Sequence, residues 1–254
     1  MIQQPRRPIR LYDVVLDNGC TLSPFVWRVR YALAHKEIDY EIEPVAFTGI
    51  RKVLGGKYEE VPIIEDNGEI VADSWAIAQY LDRNYSDRSH LLRTNGEFVW
   101  ARFFDRWMFR DVVPHMRRCY LLDNYNFARP EDRDYLRENR ERTFLGGQRL
   151  EDVVQGREKR LPAIRDSLQP LRVMLADTPW LGGIRPNYVD FCGLSVFLWA
   201  AAINTMPPLE KNDPLFEWLN RGFDLYGGVG RDERLRPLAQ GVPTARPPEQ
   251  RLTA

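Results

Sequence analysis

The order of predicted strands and helices in the first 84 residues restricts the fold more than any other feature of the sequence. Residues 9–16 are largely apolar and predict a strand. Ser23 and Pro24 predict the start of a helix, because serine is a preferred N-cap and proline is favoured in the first helical turn. Residues 38–43 alternate apolar and acidic side chains, which is typical of a half-buried strand. This unit predicts two parallel strands joined by a right-handed crossover.

A second unit follows an irregular, glycine-containing stretch at residues 46–60. Residues 61–64 predict a strand with a proline near its start, where proline is tolerated. The sequence Asp66-Asn67-Gly68 predicts a tight turn, and residues 69–72 predict the returning strand. Asp73-Ser74 then offers an N-cap for a second helix. The order β-α-β, loop, β-β-α is the thioredoxin topology.

The rest of the chain has helical periodicity and no convincing strand pattern. Residues 98–108 predict one long helix, and residues 164–175 predict another that bends at Pro170. Asn187 and Asp190 are three residues apart and predict a capping box that opens an apolar helix.

These patterns predict an α/β thioredoxin-like N-terminal domain followed by an all-α C-terminal domain. We expect the first domain to span residues 1–84 and a polar linker to span residues 85–95. The helical domain then occupies residues 96–254, and its proline-rich end, from Pro237, is expected to be extended and mobile.

Composition argues against several classes of function. The 36 basic residues equal the 36 acidic ones, so the basic excess typical of nucleic-acid or anionic-membrane partners is missing. Cys20, Cys119 and Cys192 have no metal-ligand spacing, so we expect no metal site, no disulfide framework and a reducing, cytoplasmic compartment. The longest apolar run, residues 191–203, falls short of the ~20 residues of a membrane-spanning helix.

The two-domain pattern resembles the glutathione transferase superfamily. The match has five parts: a serine before a Pro-Phe pair, a Val-Pro pair at a strand start, an acidic-serine pair, a long helical half and a capping box. In this sequence they are Ser23-Pro24-Phe25-Val26, Val61-Pro62, Asp73-Ser74, residues 94–225 and Asn187 with Asp190. The resemblance implies a glutathione-binding first domain and a substrate-binding second domain.

Four further blocks are similar to the bacterial glutathione-dependent lignin β-etherases. They are residues 18–28, 47–50, 144–153 and 221–225, and the block at 144–153 is the most specific. This similarity implies that a glutathione thiolate cleaves the β-aryl ether bond of lignin-derived aromatic ketones. The alternatives are a general detoxifying transferase, a glutathione-dependent reductase, or a non-catalytic binding protein on the same fold. The intact serine, Val-Pro and acidic-serine set argues against the last.

The resemblance assigns Ser23 as the catalytic residue that activates the glutathione thiol. A hydroxyl at a helix N-terminus donates to the sulfur, while the helix dipole favours its negative charge. The alternative is that Ser23 only caps the helix. Cys20 is a second candidate nucleophile, but the matching position of cysteine-type members is occupied here by Ser23, and free cysteines are most often inert.

The resemblance also assigns the glutathione-binding residues. Val61 would pair its backbone with the cysteinyl part of glutathione, with a cis bond at Pro62. Asp73 and Ser74 would hold the glutamyl end, although they also suit an aspartate that ends a strand and a serine that caps a helix. Lys57 is the predicted partner of the glycyl carboxylate, with Arg51 and Lys52 as alternatives.

The second substrate is expected to be a hydrophobic aromatic electrophile bound between the domains. Phe25 and Phe47 would lie beneath it, with Phe104, Trp107 and Tyr120 as walls. Aromatic residues at helical spacing also suit a core. The resemblance further implies a homodimer.

Overall fold

The computed structural model describes residues 7–242 and Thr244. A four-stranded sheet forms the first domain, in the order β2-β1-β3-β4. The strands are β1 Ile9–Val14, β2 Tyr40–Val45, β3 Ile63–Asp66 and β4 Glu69–Ala72. β1 and β2 are parallel, and the other neighbouring pairs are antiparallel. Together with α1 Pro24–His35 and α2 Ser74–Asn84, this arrangement confirms the predicted thioredoxin-like topology.

Strand β2 confirms part of the predicted half-buried alternation: Tyr40, and Ile38 just before the strand, are partly buried against the core, whereas Ile42 is exposed. β2 is the edge strand beside β1, and only its last residue, Val45, is buried. Ile42 keeps 37% of its surface exposed, although its place between the acidic Glu41 and Glu43 predicted that it would face the core. An edge strand has one paired side, so an alternating sequence does not by itself bury its apolar positions.

The second domain is helical. Its helices are α3 Asn95–Trp107, α4 Val113–Phe127, α5 Arg133–Phe144, α6 Leu150–Val153, α7 Leu161–Ser167, α8 Gln169–Asp177, α9 Tyr188–Ile203 and α10 Leu215–Gly228. One π-helical turn, Met108–Val112, joins α3 to α4, and the predicted bend near Pro170 separates α7 from α8. None of the helices in the described part of the chain is long and apolar enough to cross a bilayer.

The predicted capping box at Asn187 is confirmed at the start of α9. The Asn187 side chain accepts from the N–H of Val189 at 3.0 Å, and the Asp190 carboxylate accepts from the N–H of Asn187 at 3.2 Å. The same carboxylate accepts from the N–H of Leu181 at 2.9 Å and from the indole Nε1 of Trp218 at 2.9 Å. Every residue of α9 is buried, so this cap fixes the central helix of the core.

The C-terminal segment is only partly described. Leu238 and Ala239 are buried in the core, so this part of the segment is packed rather than loose, contrary to the expectation for residues from 237 onward. Both side chains are apolar, so removing them from water stabilises this packed position. The remainder of that expectation lies at residues 243 and 245–254, outside the described residues.

Asp13 on β1 predicts a measurable pH dependence of stability. Its Oδ2 accepts from the hydroxyl of Thr21 at 2.6 Å, its Oδ1 has no partner among the described residues, and burial raises its pKa from 3.8 to about 7. Because this pKa is raised in the folded state, the fold is favoured while Asp13 is protonated. Its contribution to stability is therefore complete below pH ~4 and is lost as the pH rises through about 7.

Asp13→Asn is expected to remove this slope. The free energy of unfolding of wild type relative to the variant should fall between pH 4 and 7, by at most about 1.4 kcal/mol per pH unit. Urea unfolding at several pH values measures the difference, and the exposed Asp17→Asn is the control. An unchanged difference across this pH range would show that Asp13 is ionised in the folded protein.

Candidate functional site

A cleft between the sheet domain and the helical domain brings together several of the predicted site residues. Its empty volume is about 1000 Å³, part of it open to solvent. Ser23, Phe25, Phe47 and Val61 line it from the first domain. The second domain contributes mainly aromatic, amide and basic side chains: Phe109, Arg117, Asn124, Asn139, Arg140, Phe144 and Trp199.

Ser23 is the N-cap of α1. Its backbone is extended, with φ −69° and ψ 124°, and its side-chain oxygen accepts from the N–H of Val26 at 3.4 Å. Pro24 occupies the first turn as predicted. Since the hydroxyl oxygen acts as acceptor in the cap, its own hydrogen is free to be donated into the cleft. The positive end of the helix dipole lies at the same place. The two functions of Ser23, cap and donor, are therefore compatible.

Cys20 has none of the features of a nucleophile. Its side chain is fully buried, and its Sγ lies 3.7 Å from the carbonyl oxygen of Thr21. Burial raises the pKa of the thiol to about 12, with the charge of Asp232 adding to the effect. Because the thiolate is the reactive form, Cys20 is chemically inert at neutral pH. It is not among the residues that line the cleft.

The bond between Val61 and Pro62 is cis, as the resemblance implied. Pro62 is buried, and its carbonyl accepts from the N–H of Asp73 at 3.2 Å. Val61 itself lines the cleft, and among the described residues neither its N–H nor its C=O has a backbone partner. This short extended segment can therefore hydrogen-bond to the backbone of a bound peptide.

The start of α2 corrects one part of the sequence interpretation. Asp73, and not Ser74, is the N-cap: its Oδ1 accepts from the N–H groups of Trp75 at 2.9 Å and Ala76 at 3.0 Å. Asp73 has a φ of +77°, which turns the chain sharply between β4 and the helix. Ser74 is the first helical residue and is buried, and its carbonyl accepts from the hydroxyl of Tyr188 at 2.7 Å. Asp73 and Ser74 do not line the main cleft.

The predicted cation for the glycyl carboxylate lies apart from the cleft. Lys57 is exposed, follows a short 3₁₀ helix at Leu54–Gly56, and is not a lining residue. Of the alternatives, Arg51 is paired with Glu59 at 3.0 Å, and Lys52 is exposed.

The aromatic walls differ from those predicted. Phe104 packs in the core, with its ring 6.0 Å from that of Trp100, and Tyr120 is fully buried with its hydroxyl donating to the carbonyl of Met206 at 2.8 Å. Trp107 is half-buried beside Phe104 and does not line the cleft. Aromatic residues at helical spacing formed the core here, which is their commoner use.

The walls that sequence reasoning missed come from three helical elements. Phe109 lies in the π turn and stacks on Phe25, with ring centroids 5.1 Å apart and planes inclined by 17°. Phe144 ends α5, and Trp199 belongs to α9. The apolar stripe of α3 passes from Phe104 to Met108, so Phe109, one position further, is directed away from that stripe. The one sequence signal for these walls was the block at residues 144–153, which begins at Phe144 and is similar to the β-etherases.

Beneath Phe25 lies a fully buried arginine. The NH2 of Arg28 donates to Asp105 at 2.8 Å, and the other oxygen of Asp105 accepts from the indole of Trp75 at 3.0 Å. The guanidinium carbon of Arg28 is 5.0 Å from the ring centre of Phe25 and 5.9 Å from that of Phe109. This cation–π contact supports both rings from below.

A buried carboxylate fixes the short 3₁₀ helix Phe47–Lys52, which begins with Phe47. Asp132, which immediately precedes α5, accepts from the N–H of Phe47 at 2.9 Å and from the N–H of Thr48 at 3.0 Å. The hydroxyl of Thr48 donates to it at 3.1 Å. The helical domain thereby holds one wall of the cleft through charge-assisted hydrogen bonds.

Within residues 7–242 and Thr244, no group of three or more His, Cys, Asp or Glu side chains is placed to hold a metal ion.

Comparisons with known proteins agree with this geometry. The N-terminal domain model of glutathione S-transferases matches residues 22–84, and the C-terminal domain model matches residues 100–211, which together exceed half of the chain. The chain belongs to the glutathione S-transferase family, whose co-substrate is glutathione.

Similar proteins include plant and fungal glutathione transferases. Glutathione S-transferase U7 of Arabidopsis thaliana is 22% identical over 209 residues, which are 79% of each chain. The solved glutathione transferase GSTFuA2 of Phanerochaete chrysosporium is 26% identical, with a TM-score of 0.68 over 87% of this chain and 93% of that one. A glutathione S-transferase of Ceriporiopsis subvermispora, solved in complex with glutathione, is 22% identical, with a TM-score of 0.73 over 88% of this chain and 98% of that one.

Proposed function

We propose that this transferase holds the glutathione thiolate beside the hydroxyl of Ser23 and directs it at an aromatic electrophile in the cleft. The observation that carries the proposal is the position of Ser23: it caps the first helix and also lines an aromatic cleft between the two domains. A helix N-terminus favours an anion, and a hydroxyl that has a free hydrogen stabilises a thiolate by donating to it.

Glutathione would lie along the first domain. The unpaired backbone of Val61 would bind its cysteinyl part, as an added strand does, and Pro62 would fix the shape of that segment. The Oδ2 of Asp73, which has no hydrogen-bond partner among the described residues, would pair with the glutamyl ammonium, and Ser74 would bind the glutamyl carboxylate at the helix N-terminus. Lys57 would bind the glycyl carboxylate.

The reaction we propose is the cleavage of a β-aryl ether in an aromatic ketone. The thiolate sulfur attacks the carbon that bears the aryl ether, next to the activating ketone. A carbon–sulfur bond forms, the carbon–oxygen bond breaks, and the electron pair leaves with the phenolate. The chain supplies proximity and a preorganised donor for the sulfur. Phe25, Phe47, Phe109 and Trp199 give the cleft the flat apolar walls that an aryl ether needs.

Glutathione consumption with two electrophiles tests this proposal. We expect turnover with a β-aryl ether ketone and release of one phenol per glutathione consumed, and little turnover with a chlorinated arene. Turnover of the arene alone would replace the proposal with a general detoxifying transferase. Formation of oxidised glutathione would indicate a reductase. Glutathione binding without turnover of either compound would indicate a non-catalytic binding protein.

We also propose that the protein is a cytoplasmic homodimer. The three cysteines are free thiols, which suits a reducing compartment. On α3, Val99 is 58% exposed and Phe103 is 62% exposed, and burial of such side chains in a subunit interface would be favourable. Light scattering of the full chain measures the mass, and a monomer at micromolar concentration would contradict the dimer.

A further inference from the structure

One corner of the cleft, between α4 and α5, is polar although the rest of the wall is largely apolar. Four side chains form this corner: Arg117 and Asn124 on α4, and Asn139 and Arg140 on α5. We call it the arginine corner. Neither the proposed binding of glutathione nor the proposed attack by its sulfur involves the arginine corner.

The two arginines have no ion-pair partner among the described residues. The NH1 of Arg140 donates to Asn139 at 2.9 Å, but its Nε is shielded from solvent and has no partner. Arg117 is half-buried and forms no salt bridge with a described carboxylate. Glu60 also lines the cleft and attracts Arg140, yet it lies beyond ion-pair distance.

The contrast with a neighbouring arginine on α5 is informative. Arg137 pairs with Glu141 at 3.0 Å and with Glu151 at 2.7 Å. Arg137 therefore has two carboxylate partners, one on α5 and one on α6, whereas Arg140 has no ion-pair partner among the described residues. The lack of a partner at Arg140 is a local property of the cleft.

Aromatic rings hold both guanidinium groups in place. The guanidinium carbon of Arg117 is 4.2 Å from the ring centre of Phe144, and that of Arg140 is 5.3 Å from the same centre. Arg140 is also 5.5 Å from the ring centre of Phe47. Burial, followed by repulsion from Arg117, lowers the pKa of Arg140 to about 10, so it remains a cation at neutral pH.

Keeping two cations together without a carboxylate at ion-pair distance among the described residues is unfavourable. Burial of an unpaired charge costs free energy, and the two positive charges repel each other. A bound anion removes both costs, and the planar guanidinium fork matches a carboxylate in two parallel hydrogen bonds. The buried Oδ1 of Asn124 also has no partner among the described residues, so this corner contains a second unsatisfied polar group.

We propose that the arginine corner binds a carboxylate on the second substrate, which is therefore an aromatic acid rather than a neutral arene. Arg140 and Arg117 hold the carboxylate of the substrate. The aromatic walls hold its ring, and the substituent on that ring that carries the reacting carbon reaches toward Ser23. This proposal rests on the proposed function, since it concerns the electrophile of the same cleft.

Equilibrium binding tests the arginine corner independently of turnover. The probes are 4-phenoxybenzoate and its uncharged methyl ester, titrated by calorimetry into the full chain saturated with the unreactive analogue S-methylglutathione. We expect the wild type to bind the acid roughly tenfold or more tightly than the ester. Arg140→Gln should sharply reduce this preference, since only Arg117 remains to hold the carboxylate, while leaving the affinity for the ester unchanged.

Two further variants make the test specific. Arg142→Gln, on the exposed side of α5, is the matched control and should keep the full preference. Arg140→Lys should keep part of it, because the charge remains and the fork is lost. Thermal unfolding shows whether each variant is folded, and Arg117→Gln provides a second route if Arg140→Gln fails to fold. Equal binding of acid and ester by the wild type, or an intact preference in Arg140→Gln, would overturn the proposal.

Turnover distinguishes failure of this inference from failure of the proposed function. β-Aryl ether ketones with and without a ring carboxylate are compared in wild type and Arg140→Gln. A preference for the acid in binding, without turnover of any ether, would leave the carboxylate site standing and remove the proposed function. Equal turnover of both ethers, with equal binding of acid and ester, would overturn the carboxylate site and leave the proposed function standing. A lower kcat for both ethers in Arg140→Gln, with binding unchanged, would overturn the carboxylate site and indicate stabilisation of the leaving phenolate.

Discussion

Ser23→Ala is expected to lower kcat/KM for glutathione transfer about 10²-fold, because one preorganised hydrogen-bond donor to the glutathione thiolate is lost. Its effect on stability should be small. The Ser23 hydroxyl accepts a long cap bond of 3.4 Å from Val26, and loss of a cap costs about 1 kcal/mol. Steady-state kinetics measures the first effect and urea unfolding the second. The ultraviolet absorbance of bound thiolate shows whether the thiol pKa has risen.

Two matched variants separate the thiolate donor from a simple cap. Ser23→Thr keeps both the hydroxyl and the cap and should retain most of the activity. Cys20→Ala removes the nearby thiol and should leave kcat unchanged, since Cys20 is buried and protonated. If Cys20→Ala were inactive and Ser23→Ala active, the assignment of the activating group would be wrong.

Asp190→Ala is expected to lower the free energy of unfolding by on the order of 3 kcal/mol or more. Its carboxylate accepts four hydrogen bonds, from the N–H groups of Leu181, Gly182 and Asn187 and from the indole of Trp218, at 2.9 to 3.2 Å. The side chain is fully buried, so its loss leaves donors unsatisfied without water to replace the carboxylate. Urea unfolding followed by tryptophan fluorescence measures the change.

The matched control for Asp190→Ala is Glu97→Ala. Glu97 occupies the same third helical position of α3, after the N-cap Thr94, and it accepts from the N–H of Arg93 at 2.6 Å near the surface. Its loss should cost about 1 kcal/mol or less, because water replaces the carboxylate there. Similar losses in the two variants would show that burial adds nothing to the cap of α9.

The sequence predicted those parts of the fold that depend on local signals. The cap at Ser23, the break near Pro170 and the capping box at Asn187 each involve residues within a few positions of one another, so their geometry follows from the local sequence. The cap at Asp73 was assigned one residue too late, because aspartate and serine are equally good caps when they stand side by side. The structure distinguishes them, because the Asp73 carboxylate accepts from the N–H groups of Trp75 and Ala76 and Ser74 lies inside the helix.

The walls of the cleft could not be predicted in the same way. Phe104 and Phe109 are both aromatic and lie five residues apart, yet one is in the core and the other faces the cleft. Their directions depend on how α3, the π turn and α4 pack against the sheet domain. The arginine corner was missed for a related reason. Arg117 and Arg140 are ordinary helical residues in sequence, and only the tertiary structure reveals that no described carboxylate lies within ion-pair distance of them.

The attachment of Phe47 to Asp132 has a consequence for how the enzyme chooses its substrates. A wall on a short 3₁₀ helix would normally yield to a bulkier ligand, but here such movement requires breaking three hydrogen bonds to a buried carboxylate. We therefore expect a mouth of fixed width, which rejects larger molecules by size and does not reshape around them. Broadening its range of ligands would begin at Asp132, a residue that no ligand in the cleft needs to touch.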